Sequence, residues 1–350
     1  MEDEGKENNA SYVIKLNGEQ RSVFLESDMV MSSALMQELH LMESQRRRKR
    51  WAYRDIFYPE TIWEGGIPYQ FDENLRGWKI AAGELFVRVL KEFISAAMAR
   101  ASLEYAMKFW QLNTCVTFWP RENETEYLLF TGENPGCFST VGRDITQQVQ
   151  VVNIGRGCYH FGVTTHEVGH ALGLFHHQQR FDRDDYITFL KGEVPRRYWL
   201  NFAKISEKYL STYGLPYDVG SIMHYTPTEF ASNIYLPGLT TKDGNLQGAM
   251  GSMDGPSFLD VQIVNRHYKC LGKQRRQCIY HLRVWAASRA CSSEALWTEI
   301  SAPPNRRVMV GLQSVAAICQ EGCFTTAVEM KMVGDNRPVG YRCRAQSPSF

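Results

Sequence analysis

Three histidines and one carboxylate fall within a single short stretch, His166-Glu167-Val168-Gly169-His170-Ala171-Leu172-Gly173-Leu174-Phe175-His176. Residues four apart lie on one face of a helix, so His166 and His170 can present two imidazoles to one ion, a zinc-binding pattern. Glu167, one position past the first ligand, stands off the metal axis. There it can hold a water activated by the metal, which is a general-base position. Gly173 lets the chain leave the helix with positive φ, and the turn it allows returns His176 as a third ligand. The chemistry available to such a set is metal-assisted hydrolysis.

The five-residue HExxH spacing is a modest signal alone, but the extended HExxHxxGxxH spacing followed by a Met-turn is the metzincin protease signature. A Met-turn follows at Ser221-Ile222-Met223-His224-Tyr225. The elements that must position these residues can be read around them. Ile62 to Phe71 carries a strand signal with a Gly65-Gly66 turn at its entrance. A long helical pattern runs from Ile80 to Leu112, with apolar residues at Phe86, Leu90, Phe93, Ala97 and Met98. Cys115 to Trp119 and the valine-rich Gln148 to Ile154 read as strands. The zinc helix is expected to start at an N-cap on Thr164 or Thr165. Further helices are expected around Tyr198 to Tyr209 and from Asp260 to Tyr268.

The chain has 350 residues and a formal net charge of +1, so it can bury a core and offers no basic surface for nucleic acid. No segment has the roughly 18 uncharged apolar residues a membrane span needs, and Leu85 to Ala99 is broken by Arg88, Lys91 and Glu92. The nine cysteines do not form paired CxxC knuckles, so they read as a disulfide framework in an oxidising compartment, with one thiol unpaired or its partner in a segment missing from this sequence. Asn-x-Ser/Thr triplets at Asn9 and Asn123 agree with that compartment. Met1-Glu2-Asp3-Glu4 has neither a basic nor an apolar leader region, and the expectation is a secreted protein whose leader is missing from this sequence.

Composition divides the chain into three. Residues 1–50 are polar and end in Arg46-Arg47-Arg48-Lys49-Arg50, which reads as a pro-segment with a processing site after Arg50. Residues 51–270 hold both motifs. Residues 271–350 carry alternating segments and five cysteines, a small disulfide-stabilised β-rich module.

Residues 51–270 resemble the catalytic domain of an astacin-family metalloprotease. The matching positions include Gly66-Ile67-Pro68-Tyr69, Asn113 to Phe118, Gly136-Cys137-Phe138-Ser139, Val141-Gly142-Arg143, Arg180 with Asp182-Arg183-Asp184, Tyr217-Asp218, and Asn265 to Cys270. The resemblance implies an α+β, two-lobed domain with the zinc helix at its cleft and one Zn(2+). It implies Tyr225 as an additional zinc ligand or transition-state hydrogen-bond donor, and Met223 as an apolar floor beneath the metal. It pairs Cys115 with Cys270 and Cys137 with Cys158, and makes Gln148 to Ile154 the edge strand that holds an extended peptide. It also makes Asp28, in Leu25-Glu26-Ser27-Asp28, the zymogen's plug on the metal, although Leu25 and Ser27 depart from the family's aromatic and glycine. The tail, around Cys323, Val328 to Lys331 and Gly340 to Cys343, resembles the end of a CUB-type module whose first half is poorly matched. The function expected is a secreted zinc endopeptidase made as a zymogen, acting on extended peptide and protein substrates and activated by a processing protease at the basic site. The competing readings are an inactive extracellular adhesion or binding protein on this scaffold, and a chance HExxH in a non-proteolytic zinc protein.

Two positions depart from the family pattern. His177 stands where a glutamate usually meets the amino terminus freed by processing; an imidazole cannot attract an ammonium group as a carboxylate does, so the mature terminus is expected to be held differently or to remain loose. An apparent insertion between Gly77 and Ala99 reads either as a helical extension or as an error in the underlying gene model.

Overall fold

Gly65 and Gly66, both at positive φ, turn the chain into its first long strand, and a side chain at Gly66 would collide with Thr117 and Trp119. The computed structural model describes residues 22–25, 28–32, 52–53, 58–76, 86–207, 209–251, 253–270, 328–330 and 341–343. The basic run to Arg50, the Asn9 triplet and most of the expected β-rich module lie outside those residues. Of the tail, β12 (Val328–Met330) and β13 (Tyr341–Cys343) pair antiparallel.

The upper lobe is a seven-stranded sheet. It is built from β1 (Ser22–Leu25), β2 (Met29–Ser32), β4 (Ile67–Phe71), β5 (Phe118–Pro120), β6 (Tyr127–Thr131), β7 (Cys137–Thr140) and β8 (Val149–Ile154), in the order β1-β2-β7-β8-β6-β4-β5. The pairs β4–β5, β4–β6 and β6–β8 are parallel, whereas β7 runs antiparallel to β8. Helix α1 (Glu73–Arg76) follows β4, and α2 (Phe86–Asn113) packs with the zinc helix α3 (Phe161–Ala171) against the sheet. The core joins Leu128, Phe130 and Ile154 from strands to Leu103 and Trp110 of α2 and Val168 and Ala171 of α3, all essentially inaccessible. Trp110 donates from its indole to the Thr165 carbonyl, fixing α2 on the zinc helix. Residues 86–99 continue α2 as helix, so that part of the apparent insertion is structured as a helical extension.

The lower lobe is less regular. It comprises β9 (Ile187–Phe189) paired with β11 (Leu239–Thr241), a 3-10 turn over Arg196–Phe202, β10 (Leu210–Ser211) paired with β3 (Ala52–Tyr53), and the closing helix α4 (Phe258–His267). A second cluster, with Ile187, Val194, Phe202, Tyr217, Tyr225 and Leu239, lies within it, while Leu210 of β10 and Leu259, Ile263 and Val264 of α4 join the main core. The mixed α+β architecture is the one the sequence implies.

Several expectations need correction. The zinc helix starts at Phe161 with His160 as N-cap, not at Thr164 or Thr165. Both threonines lie inside it, with their hydroxyls donating back to the carbonyls of His160, Phe161 and Gly162. The region Tyr198 to Tyr209 is 3-10 only as far as Phe202, because the chain then turns so that the Ile205 N–H reaches the Gln179 carbonyl. The strand Val149–Ile154 is not an edge strand: it is flanked by β6 and β7, and β7 is itself covered on its other side by β2.

Candidate metal centre

Helix α3 delivers His166 and His170 one turn apart, and its end is fixed by Gly173 at φ +94°, where a side chain would press on His267. The chain returns through Leu174 and Phe175, both buried, to place His176 against the same point. Each of the first two rings is held from behind. Nδ1 of His166 lies 2.7 Å from the Ile222 carbonyl, and Nδ1 of His170 lies 2.7 Å from the Leu174 carbonyl. A carbonyl can only accept, so each Nδ1 carries the proton and each Nε2 turns its lone pair inward.

The inward atoms fit one ion. Nε2 of His176 is 3.3 Å from Nε2 of His166, a spacing that two neutral acceptor nitrogens do not choose for each other. Two ligand nitrogens each about 2.0–2.1 Å from a tetrahedral zinc stand about 3.4 Å apart. The Nε2 of His170 is buried with no hydrogen-bond partner. Asp28 completes the group: its Oδ2 is 3.1 Å from His176 and 3.4 Å from His166, and all four donor atoms lie within 4.8 Å of one another. This is the donor set of a single zinc ion, three imidazoles and a carboxylate.

Asp28 comes from the start of β2. That strand runs parallel to β7, pairing Met29 with Ser139 and Val30 with Thr140. The Ser139 N–H donates to the Asp28 carbonyl at 2.8 Å and the Val141 N–H to the Val30 carbonyl at 3.0 Å, while Met29 is fully buried. Burial pushes the Asp28 carboxyl up, but the attraction of His176 and hydrogen bonds from His166 and His176 outweigh it and hold the group well below the usual carboxylate range. Glu167 is shifted the other way. Burial first, and the Asp28 charge second, push its carboxyl well above the ordinary value, and its Oε2 is buried without a partner.

The Met-turn lies beneath this group. A side chain at Gly169, between the two helical ligands, would meet the Met223 sulfur at 3.0 Å, so the bare Gly169 lets the helix lie close on a fully buried Met223. The Tyr225 ring lies 4.6 Å from that of His176, and its N–H donates to Gln178 Oε1. The turn itself is anchored by Asp260, whose carboxylate accepts from Ser221 Oγ and the N–H groups of Ile222 and Ser257. His177 is buried beside the site. Its Nε2 accepts from the Asp218 N–H at 3.0 Å, and burial, then Arg180, then His224 lower its pKa well below the ordinary histidine value.

Thus Asp28, His166, His170 and His176 meet, with Glu167, Met223 and Tyr225 around them. Cys115 is bonded to Cys270 and Cys137 to Cys158. Gln178 and Asp260 are not found by reading the sequence, since neither stands in a spacing that marks a ligand. The Ser257-x-x-Asp260 capping box is the signal available for the latter.

A family model described as Astacin, a peptidase family, matches residues 87–269, more than half of the chain. The chain belongs to the astacin family. Its sequence is 39% identical to zinc metalloproteinase nas-29 of Caenorhabditis elegans over 86% of this chain and 62% of that protein. It is 34% identical to zinc metalloproteinase nas-23 of the same organism over 97% of this chain and 69% of that one. The chain therefore spans under two thirds of the length of nas-29. Among solved structures it resembles high choriolytic enzyme 1, a hatching enzyme zinc-protease of the medaka fish Oryzias latipes. That match has a TM-score of 0.51 and 27% identity, over 62% of this chain and 99% of that one. The astacin domain of this chain is accordingly a zinc metalloendopeptidase domain with one zinc site, and the family and the two disulfides place it outside the cytosol. No helix among the described residues is long and apolar enough to cross a membrane.

Proposed function

We propose that this chain belongs to the zymogen of an extracellular zinc endopeptidase, with residues 1–50 as pro-segment, 51–270 as the protease and 271–350 as an accessory β-rich module. The observation that carries this reading is Asp28 among the three histidines, delivered by a strand paired to β7. A carboxylate on a pro-segment would occupy the place a substrate carbonyl and water need, and cleavage after Arg50 by a processing protease would remove it.

Zinc, held by His166, His170 and His176, would supply a water of lowered pKa, near 7, and polarise the scissile carbonyl. Glu167, buried beside the ligands, would take the proton from that water and return it to the leaving amine. Tyr225 would steady the negative charge developing on the carbonyl oxygen, its ring held by His176, Phe202 and Phe230. An extended peptide would lie along β7, the strand freed when β2 departs, and main-chain pairing of this kind tolerates many side chains.

The test is casein digestion by the protein processed after Arg50. Wild type should digest casein and lose the activity to a zinc chelator. Glu167→Ala should be inactive while retaining one zinc ion. Turnover by the zinc-loaded Glu167→Ala protein would overturn the assignment.

A further inference from the structure

We propose that Asn123 carries an N-linked oligosaccharide, at the end of the sheet farthest from the cleft. Asn123-Glu124-Thr125 is an acceptor triplet, and both Asn123 and Thr125 are exposed on the loop between β5 and β6. Glu124 explains why they point outward. Its side chain folds back over the loop, accepting from the Trp119 indole at 2.7 Å and from the N–H groups of Glu122 and Asn123 at 2.8 and 3.1 Å. Its carbonyl accepts from Arg121 Nε at 2.7 Å, and the Arg121 guanidinium lies over the Tyr127 ring. The middle residue of the triplet thus ties the loop to itself and to Trp119, and Asn123 on one side and Thr125 on the other are left exposed.

The position leaves room for a bulky group. Three strands separate β5 from β7, so at about 4.8 Å per strand the loop's edge lies roughly 19 Å across the sheet from the strand that meets the peptide. A glycan there would also cover the outer side of β5, the terminal strand of the sheet among the described residues. In the modification, the Asn123 amide nitrogen attacks C1 of the first N-acetylglucosamine of a lipid-linked oligosaccharide diphosphate. The new C–N bond replaces the C–O bond to the diphosphate, the lipid diphosphate leaves with the electron pair, and the amide gives up one proton. The enzyme and donor are those of the secretory pathway, so the proposal rests on the extracellular reading.

The experiment uses the full chain behind a cleavable heterologous leader, collected from the medium of secreting eukaryotic cells, so that every molecule analysed has been exported. Release of glycans by peptide-N-glycosidase in heavy-oxygen water converts each modified asparagine to labelled aspartate, read by peptide mass spectrometry. Asn123 should carry the label, and Asn123→Gln and Thr125→Ala should each abolish it there while casein digestion after processing is unchanged. Unlabelled Asn123 in secreted protein whose Cys115–Cys270 bond has formed would overturn the proposal and leave the protease reading untouched. Labelled Asn123 with no casein digestion would support the glycan and count against the enzyme.

Discussion

Asp28 is a small residue with a large share of the site's electrostatics. Its carboxylate is the one negative group set directly against His166 and His176 among the described donors, and it raises the burden on buried Glu167. Nothing local in Leu25 to Asp28 marks it, and a lone aspartate in a polar segment is ordinarily solvated; only its place relative to a family pattern singles it out. The histidines are the opposite case, since their spacing on one helix already specifies a shared ion. Asp28→Ala should let the unprocessed chain turn over a short quenched peptide. Losing a charge-assisted contact worth about 1.5–3 kcal/mol should raise that basal turnover about 10- to 140-fold over unprocessed wild type. Basal turnover identical to wild type, with zinc still bound, would show that Asp28 does not block the site.

At the scale of elements, the Met-turn is positioned by the N-terminus of α4. Ser257 and Asp260 form a capping box, and the same Asp260 carboxylate reaches across to Ser221 and Ile222, whose carbonyl in turn orients His166. Asp260→Ala strands three buried donors and should cost about 2–5 kcal/mol, seen as a lower urea midpoint together with weaker zinc retention. The linkage has a defined sign. Burial, and second the nearby Asp218 carboxylate, raise Asp260 to about 6 from an ordinary 3.8. The folded state therefore binds this proton more tightly than the unfolded chain between those values, and the stability it contributes falls as pH rises through about 6. Asp260→Asn removes that ionisation, so the destabilisation it causes should be larger near pH 4 than near pH 7.5. Urea midpoints of both proteins, taken with a chelator so that zinc release does not enter, check this; equal differences at the two pH values would reject it. What is legible at this scale follows chemistry rather than propensity. The zinc helix can be read because ligand spacing and apolar period agree, while the strand Cys137–Thr140 gives no clear signal. It is short and mostly small or polar, with its outer partner coming from another part of the chain. The start of the zinc helix is misread for a related reason, since Thr164 and Thr165 satisfy their hydroxyls within the helix and therefore do not cap it.

For the molecule as a whole, one main core runs from the sheet through the zinc helix to the Met-turn and α4, and a smaller apolar cluster lies around Tyr225. Cys115–Cys270 closes a separation of 155 residues, a constraint on the unfolded chain worth about 5 kcal/mol, and Cys137–Cys158 closes one of 21, worth about 3 kcal/mol. Those bonds hold the protease frame independently of β1 and β2, which are joined to the sheet through the β2–β7 pairing. Processing after Arg50 should therefore leave the frame folded and uncover one row of backbone groups. The amides that report it are those of Ser139 and Val141, which donate to the carbonyls of Asp28 and Val30. In hydrogen exchange both should be protected in the unprocessed chain and exchange faster once residues 1–50 are gone. The Tyr127 amide, which donates to the Gln148 carbonyl deeper in the sheet, should be unaffected. An extended peptide ending in a zinc-binding group should restore protection at β7, because it would occupy the same edge as β2. If Ser139 and Val141 stay as protected after processing as before, β2 remains docked, and removal of the segment is not what opens the cleft.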